Sequence, residues 1–203
     1  MAILAWTKSG CPSADVTVWS TATRGIYREC DAWRTAVFDK LANSKPALVI
    51  VSNLVDAAES YVDRRSGAVL HGVPARAEFR AGLERTLRRL RELGVAVVLI
   101  RDTPRPRADI IECLYSSPES QRCERPRAQA LEAHALDAAI ALASGIPVWD
   151  FSDEICDPVS CPVIMPRERR SIYRDDNHLS ASFVSSLAPA VRARWPSGIG
   201  PGR

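Results

Sequence analysis

The stretch Tyr173-Arg174-Asp175-Asp176-Asn177-His178-Leu179-Ser180 holds the residues best suited to chemistry. An aspartate three residues ahead of a histidine, on a loop that enters a helix, can place both side chains at one cleft. The carboxylate then accepts the imidazole Nδ1 proton and fixes the tautomer. The other ring nitrogen is left to take a proton from a hydroxyl nucleophile. Serine enzymes need such a base because an unassisted serine hydroxyl is a poor nucleophile. Asp-x-x-His is a short pattern, and a plainer use fits it too: Asp175 or Asp176 caps the last helix and His178 lies on the surface.

The elements around this loop alternate short apolar runs with longer amphipathic stretches. Ile3 to Trp6 reads as a short strand, followed by the loop Lys8-Ser9-Gly10-Cys11-Pro12. Asp31 is placed to N-cap a helix with Trp33, Val37 and Leu41 on one face. Ala47 to Val51 is a continuous apolar run, as in strands buried on both faces of a parallel sheet, and it ends in Ser52-Asn53. After Pro74, Phe79, Leu83, Leu87 and Leu90 recur at helical spacing, with Arg and Glu filling a solvated face and Gly94 as the stop. Val95 to Ile100 is a second buried run, closed by Arg101-Asp102-Thr103-Pro104. Pro126 suits the first position of a helix carrying Leu131, Ala135 and Leu142, which Gly145 ends. Ile146 to Phe151 predicts a further strand. The last helix starts near Ser180, carries Phe183, Leu187 and Val191, and is kinked by Pro189. Strand–helix alternation of this kind predicts a three-layer α/β/α domain around a mainly parallel sheet over residues 1–195, with a disordered tail over 196–203. In such sheets the chemistry lies beyond the carboxyl ends of the strands.

The chain of 203 residues carries 27 basic and 24 acidic side chains, a net charge of +3 that is too small to argue for nucleic acid. No apolar run reaches the roughly 18 residues of a membrane span, and no signal-peptide pattern is present. Neither G-x-G-x-x-G nor a Walker loop occurs, so nucleotide binding has no support, and no cofactor is expected. The six cysteines fall as three local pairs: Cys11 with Cys30, Cys113 with Cys123, and Cys156 with Cys161. Local pairs suit disulfides that staple loops, with unpaired buried thiols as the alternative; no pair has zinc-site spacing, so no metal is expected. Disulfides imply an oxidising compartment, which conflicts with the lack of an export pattern.

Taken in order, the Ser-Gly-Cys-Pro loop, Asp-Thr-Pro after a strand, C-x4-C and Asp-Asp-Asn-His-Leu-Ser resemble the SGNH domain fused to membrane acyltransferase-3 proteins, the O-acyltransferases of bacterial surface polysaccharides and peptidoglycan. The resemblance covers roughly residues 3–193. It implies an SGNH-hydrolase-like fold, with Asp175 and His178 as the catalytic aspartate and histidine and Asp176 as a neighbour. It implies a carbohydrate acceptor and an acyl donor supplied by a membrane acyltransferase domain, on the extracytoplasmic face of the membrane. From the wider superfamily, Gly10 and Asn53 occupy the oxyanion-hole places, where N–H donors stabilise a tetrahedral oxyanion. The plainer readings are that Gly10 relaxes a turn and Asn53 ends a strand.

The family's nucleophile lies in a Gly-Asp-Ser motif after its first strand, and no such sequence occurs here. Met1 to Pro12 looks like the family's second strand and the loop after it. The expectation is therefore a chain without the first strand and nucleophile turn, inactive alone and of low stability. Two alternatives remain: a free-standing esterase using Ser9, and a non-catalytic module that binds glycans or a partner. His134 reads as an exposed helical residue, His71 as a loop residue, and Asp102 as a cap or ion-pair partner. Trp33, Trp149 and Trp195 read as core or rim residues rather than sugar platforms.

Overall fold

A computed structural model describes residues 2–54, 60–106, 109–116, 120–132, 135–165 and 168–199. In chain order the elements are β1 (Thr17–Ser20), β2 (Gly25–Ile26), α1 (Arg28–Ser44), β3 (Leu48–Ser52), β4 (Tyr61–Val62), β5 (Val69–Leu70), α2 (Gly72–Glu92) and β6 (Ala96–Ile100). The second half holds α3 (Ile110–Ser116), a 3-10 turn at Ser120–Cys123, β7 (Arg125–Pro126), α4 (Arg127–Glu132), α5 (Leu136–Ala143) and β8 (Val148–Trp149). It ends with α6 (Ser152–Ile155), β9 (Ser160–Cys161), α7 (Ala181–Ser186) and α8 (Ala188–Arg194). The chain divides into two compact units, one of Met1–Asp102, Leu136–Val148 and Gly198–Arg203, the other of Thr103–Ala135 and Trp149–Ser197.

In the first unit β3 and β6 pair in parallel from Leu48 with Ala96 to Ser52 with Ile100, in a sheet ordered β3-β6-β8. A second sheet, ordered β2-β1-β4-β5, is antiparallel through all its pairs. The expected stripe of α2 is the observed one: Phe79, Leu83, Leu87 and Leu90 are all buried. That stripe joins a core with Phe38, Leu41, Val97, Leu99 and Ile140. Gly82 lies on the same face, and its carbonyl accepts the backbone N–H of Asp15 at 3.0 Å. A Cβ on Gly82 would come within 2.5 Å of Val16 Cγ1 and 2.9 Å of the Asp15 carbonyl oxygen. No side chain larger than hydrogen lets α2 and the 13–16 segment approach this closely.

Several expectations need correction. Ile3 to Trp6 form no strand; Ile3 and Leu4 are 76% and 71% exposed, so nothing among the described residues rewards an extended pairing there. Helix α1 begins at Arg28 rather than after Asp31, and its buried stripe is Cys30, Arg34, Phe38 and Leu41. The Cys11–Cys30 bond turns Cys30 inward and carries Arg34, one turn later, with it. Strand β3 is not buried on both faces: Ile50 is 40% exposed, and among the described residues β3 pairs only with β6. The helix expected from Pro126 is two helices, α4 and α5, and Leu142 points outward. Pro189 does not kink one last helix: the segment divides at Leu187 into α7 and α8, and proline sits in the first turn of α8, where its missing N–H costs nothing.

The second unit packs Ile110, Ala130, Ile155, Val163, Ile172, Tyr173 and Phe183 into a core of its own. Two disulfides brace it, Cys113–Cys123 and Cys156–Cys161, and with Cys11–Cys30 all six cysteines are paired as expected. Strand β7 pairs antiparallel with β9, and Arg127 donates to the carbonyls of Cys156 and Asp157. Trp149 is buried against Trp195, ring centres 5.7 Å apart, so both serve as packing residues.

Candidate active site

The Asp175 loop is anchored at its base. Tyr173 is buried, and its hydroxyl donates to the Pro104 carbonyl at 2.7 Å. Burial without a charge partner pushes the Tyr173 hydroxyl above its ordinary pKa, which keeps it a proton donor. This bond ties the loop to the Asp-Thr-Pro segment, a role for that motif that its spacing alone did not reveal. Residues 173 and 179 form an antiparallel bridge, and the Arg174 N–H donates to the His178 carbonyl at 2.8 Å. Ser180 caps α7 by accepting the Phe183 N–H and also donates to the Ser171 carbonyl. The loop of residues 174–178 is thus pinned on both sides.

Within it, the Asp175 carboxylate accepts the backbone N–H groups of Asn177 at 3.0 Å and His178 at 2.7 Å. Asp175 therefore caps its own turn rather than the last helix. His178 Nδ1 lies 2.8 Å from Asp175 Oδ2 and 3.0 Å from Oδ1. Desolvation works to raise the Asp175 pKa, but the two backbone donors and the imidazole outweigh it and hold the carboxyl well below the usual carboxylate range. An ionised Asp175 places the imidazole proton on Nδ1 and leaves Nε2 as the acceptor. His178 is 60% exposed in its side chain, and Nε2 has no hydrogen-bond partner among the described residues. Asp176 instead accepts from the Asn177 side chain, and Arg174 reaches Asp175 at 3.4 Å.

The other candidates lie in the first unit. Gly10 occupies a turn closed by the Cys11 N–H on the Lys8 carbonyl, at φ +64°, a conformation that suits glycine. Ser9 is exposed, and its carbonyl accepts from the Tyr27 hydroxyl. Asn53 is buried, and its Oδ1 accepts both the N–H of Ser13 at 2.9 Å and its hydroxyl at 2.8 Å. This fixes the amide so that Nδ2 is a donor, and Nδ2 is buried with no partner among the described residues. A preoriented, unspent N–H is what an oxyanion hole requires. Ser13 was not foreseen; a serine after Cys-Pro is too common a pattern to signal a residue 40 positions away. Ser13, three residues after Gly10, joins Asn53 to the segment that follows the Gly10 turn. His178 and Asp175 form the other cluster.

His71 Nδ1 lies 2.9 Å from the hydroxyl of Ser60, which is buried, so that histidine is a packing partner at the start of α2. Asp102 is buried too, and His134 lies outside the described residues. Among the described residues no group of three metal-ligating side chains gathers, and no helix is long and apolar enough to cross a membrane.

A family model for the SGNH domain (fused to AT3 domains) matches residues 1–193. The chain belongs to this family. The parallel β3-β6 pairing with helices packed on it is consistent with an SGNH-hydrolase-like fold. Among solved structures, the chain is similar to the periplasmic domain of a lipopolysaccharide acetyltransferase from Salmonella ser. Paratyphi A. That likeness has a TM-score of 0.60 at 13% identity and covers 90% of this chain and 69% of the other. At that identity the likeness is one of fold. A search of curated proteins found no match.

Proposed function

We propose that this SGNH domain works with a membrane acyltransferase domain on the extracytoplasmic side, passing acyl groups, acetyl first among them, to a cell-surface carbohydrate. The observation that carries the reading is the Asp175–His178 pair: a carboxylate locked by two backbone donors, 2.8 Å from Nδ1 of an exposed imidazole whose Nε2 is unengaged. His178 takes the proton from the nucleophilic hydroxyl and returns it to the leaving oxygen, and Asp175 orients the ring and stabilises the imidazolium. In the first unit, the Asn53 amide, with its one unspent N–H, and the Gly10 turn are the candidates for stabilising an oxyanion. The family membership and three disulfides support this site of action, because disulfides persist in oxidising compartments. The sequence holds no Gly-Asp-Ser, so in this reading the serine comes from outside these 203 residues and the chain alone is inactive.

The test is a chromosomal His178→Ala change with measurement of ester-linked acetyl on the surface glycan. The acetyl content falls to background, and Asp175→Asn lowers it too. Unchanged content in both variants overturns the proposal. Fluorophosphonate labelling of Ser9 in the isolated chain would instead favour a self-contained esterase. Saturable oligosaccharide binding that survives His178→Ala, with acetylation unaltered, would favour a binding module.

A further inference from the structure

A second site lies wholly in the first unit, in a cleft of about 180 Å³ between α1, α2 and the turn after β4. Its walls carry four guanidinium groups, from Arg34, Arg64, Arg85 and Arg89, against two carboxylates, Asp15 and Asp31. The carboxylates are already engaged. Asp15 Oδ1 takes Arg64 at 2.6 Å and Oδ2 takes Arg85 at 3.0 Å, while Asp31 pairs with Arg34. Arg34 is 7% exposed and also donates to the carbonyls of Val16 and Pro12, so it is a fixed wall of the cleft. Glu78, not among the residues lining the cleft, accepts from Arg85 Nη2 at 3.0 Å. Counting Glu78, four cations still face three anions.

The surplus resides at Arg89. Its guanidinium carbon sits 4.0 Å from the centre of the Phe38 ring and pairs with no carboxylate among the described residues. Stacking on an aromatic face holds the planar group in place while leaving its edge donors free. Arg64 is likewise 45% exposed, with donors beyond those that Asp15 uses. Fork-shaped donors converging on a pocket are suited to a phosphate, whose oxygens accept in parallel.

We infer that this cleft binds a phosphate group, either free or borne by a glycan or lipid. The inference stands apart from the acyl-transfer reading and involves none of its residues. The test is a titration of the whole chain with inorganic phosphate, followed by amide chemical shifts, against chloride at equal ionic strength. Saturable shifts in α1 and α2 are expected with phosphate only. Arg89→Gln weakens binding by roughly tenfold, the size of a charged hydrogen bond. Arg88→Gln removes the same charge one position away from the cleft and leaves binding unchanged. Glucose 6-phosphate outcompeting inorganic phosphate would identify a glycan carrier; capture on phosphatidylglycerol vesicles that depends on Arg89 would identify a lipid. Non-saturable shifts, or equal weakening by Arg88→Gln and Arg89→Gln, would overturn the inference.

Discussion

Asp137 makes the folded chain less stable as pH rises. It is fully buried at the start of α5, and its Oδ1 accepts the Ala138 N–H at 2.7 Å. Oδ2 is buried with no hydrogen-bond partner among the described residues. Burial, reinforced by the nearby Asp102, pushes its pKa from 3.8 to about 7, against the opposing pull of the Ala138 and Asp102 backbone and of Arg101. The folded state therefore binds an extra proton between pH 4 and 7, while the unfolded chain has already lost it. The stabilisation is complete below the unfolded value and disappears as pH climbs through the folded one. With one pKa unit worth about 1.4 kcal/mol, moving from pH 5 to pH 8 removes ~2 to 3 kcal/mol. That is a large share of the usual 5–15 kcal/mol of a domain. Asp137→Asn keeps the shape, stays neutral and can place an N–H at the Oδ2 position. The assay is chemical denaturation at pH 5 and pH 8 for both proteins, read as the unfolding midpoint at constant slope. The native chain loses stability across this interval by more than the variant does. The difference between them isolates Asp137 from other groups that titrate in the range. Equal pH dependence in the two would refute the argument.

Two further perturbations probe the first unit. Gly82→Ala places a Cβ 2.5 Å from Val16 Cγ1 and 2.9 Å from backbone at Asp15, so α2 and the 13–16 segment must separate. The expected cost is ~2 kcal/mol or more, visible as a lower thermal midpoint with little change in helix content. Replacing Cys11 and Cys30 together with serine opens a loop of sequence separation 19, for a loss of about 3 kcal/mol. The same variant should expose α1 to faster amide exchange. A thermal midpoint equal to that of the native chain would show that the bond constrains nothing.

What the sequence made legible is what lies close along the chain. The Asp175–His178 contact spans three residues and is enforced by backbone N–H groups of the same turn, so residue type and spacing were enough to anticipate it. The disulfides close loops of sequence separation 19, 10 and 5, and for them proximity in sequence was a sound guide. The stripe of α2 was readable because four leucine and phenylalanine side chains face one core at helical period. In helix α1 Leu41 is buried as expected, but Trp33 and Val37 miss the buried positions Arg34 and Phe38 by one, because two forces outside the helix's own pattern decide which face is buried. The bond to Cys11 pulls Cys30 in, and carbonyls at Pro12 and Val16 accept Arg34. A buried arginine defeats any reading that equates the inner face with apolar residues, because its stem packs while its head is satisfied by distant backbone.

The role of Asn53 likewise depends on a residue far along the chain. Its partner Ser13 is 40 residues away, and only the fold shows that both of Ser13's donors are spent on Oδ1. That arrangement turns a generic strand-end asparagine into an amide with one oriented N–H left over. The Arg64 and Arg85 contacts to Asp15 span 49 and 70 residues, and no periodicity records them. The antiparallel strands β1, β2, β4 and β5 escaped for a related reason. Three of them have two residues each, too short for an alternating pattern, and their pairing is fixed by where β1 lies. Edge β3 makes the converse point. Its apolar run, Ala47 to Val51, predicted burial on both faces, yet Ile50 stands exposed on a strand with one neighbour among the described residues.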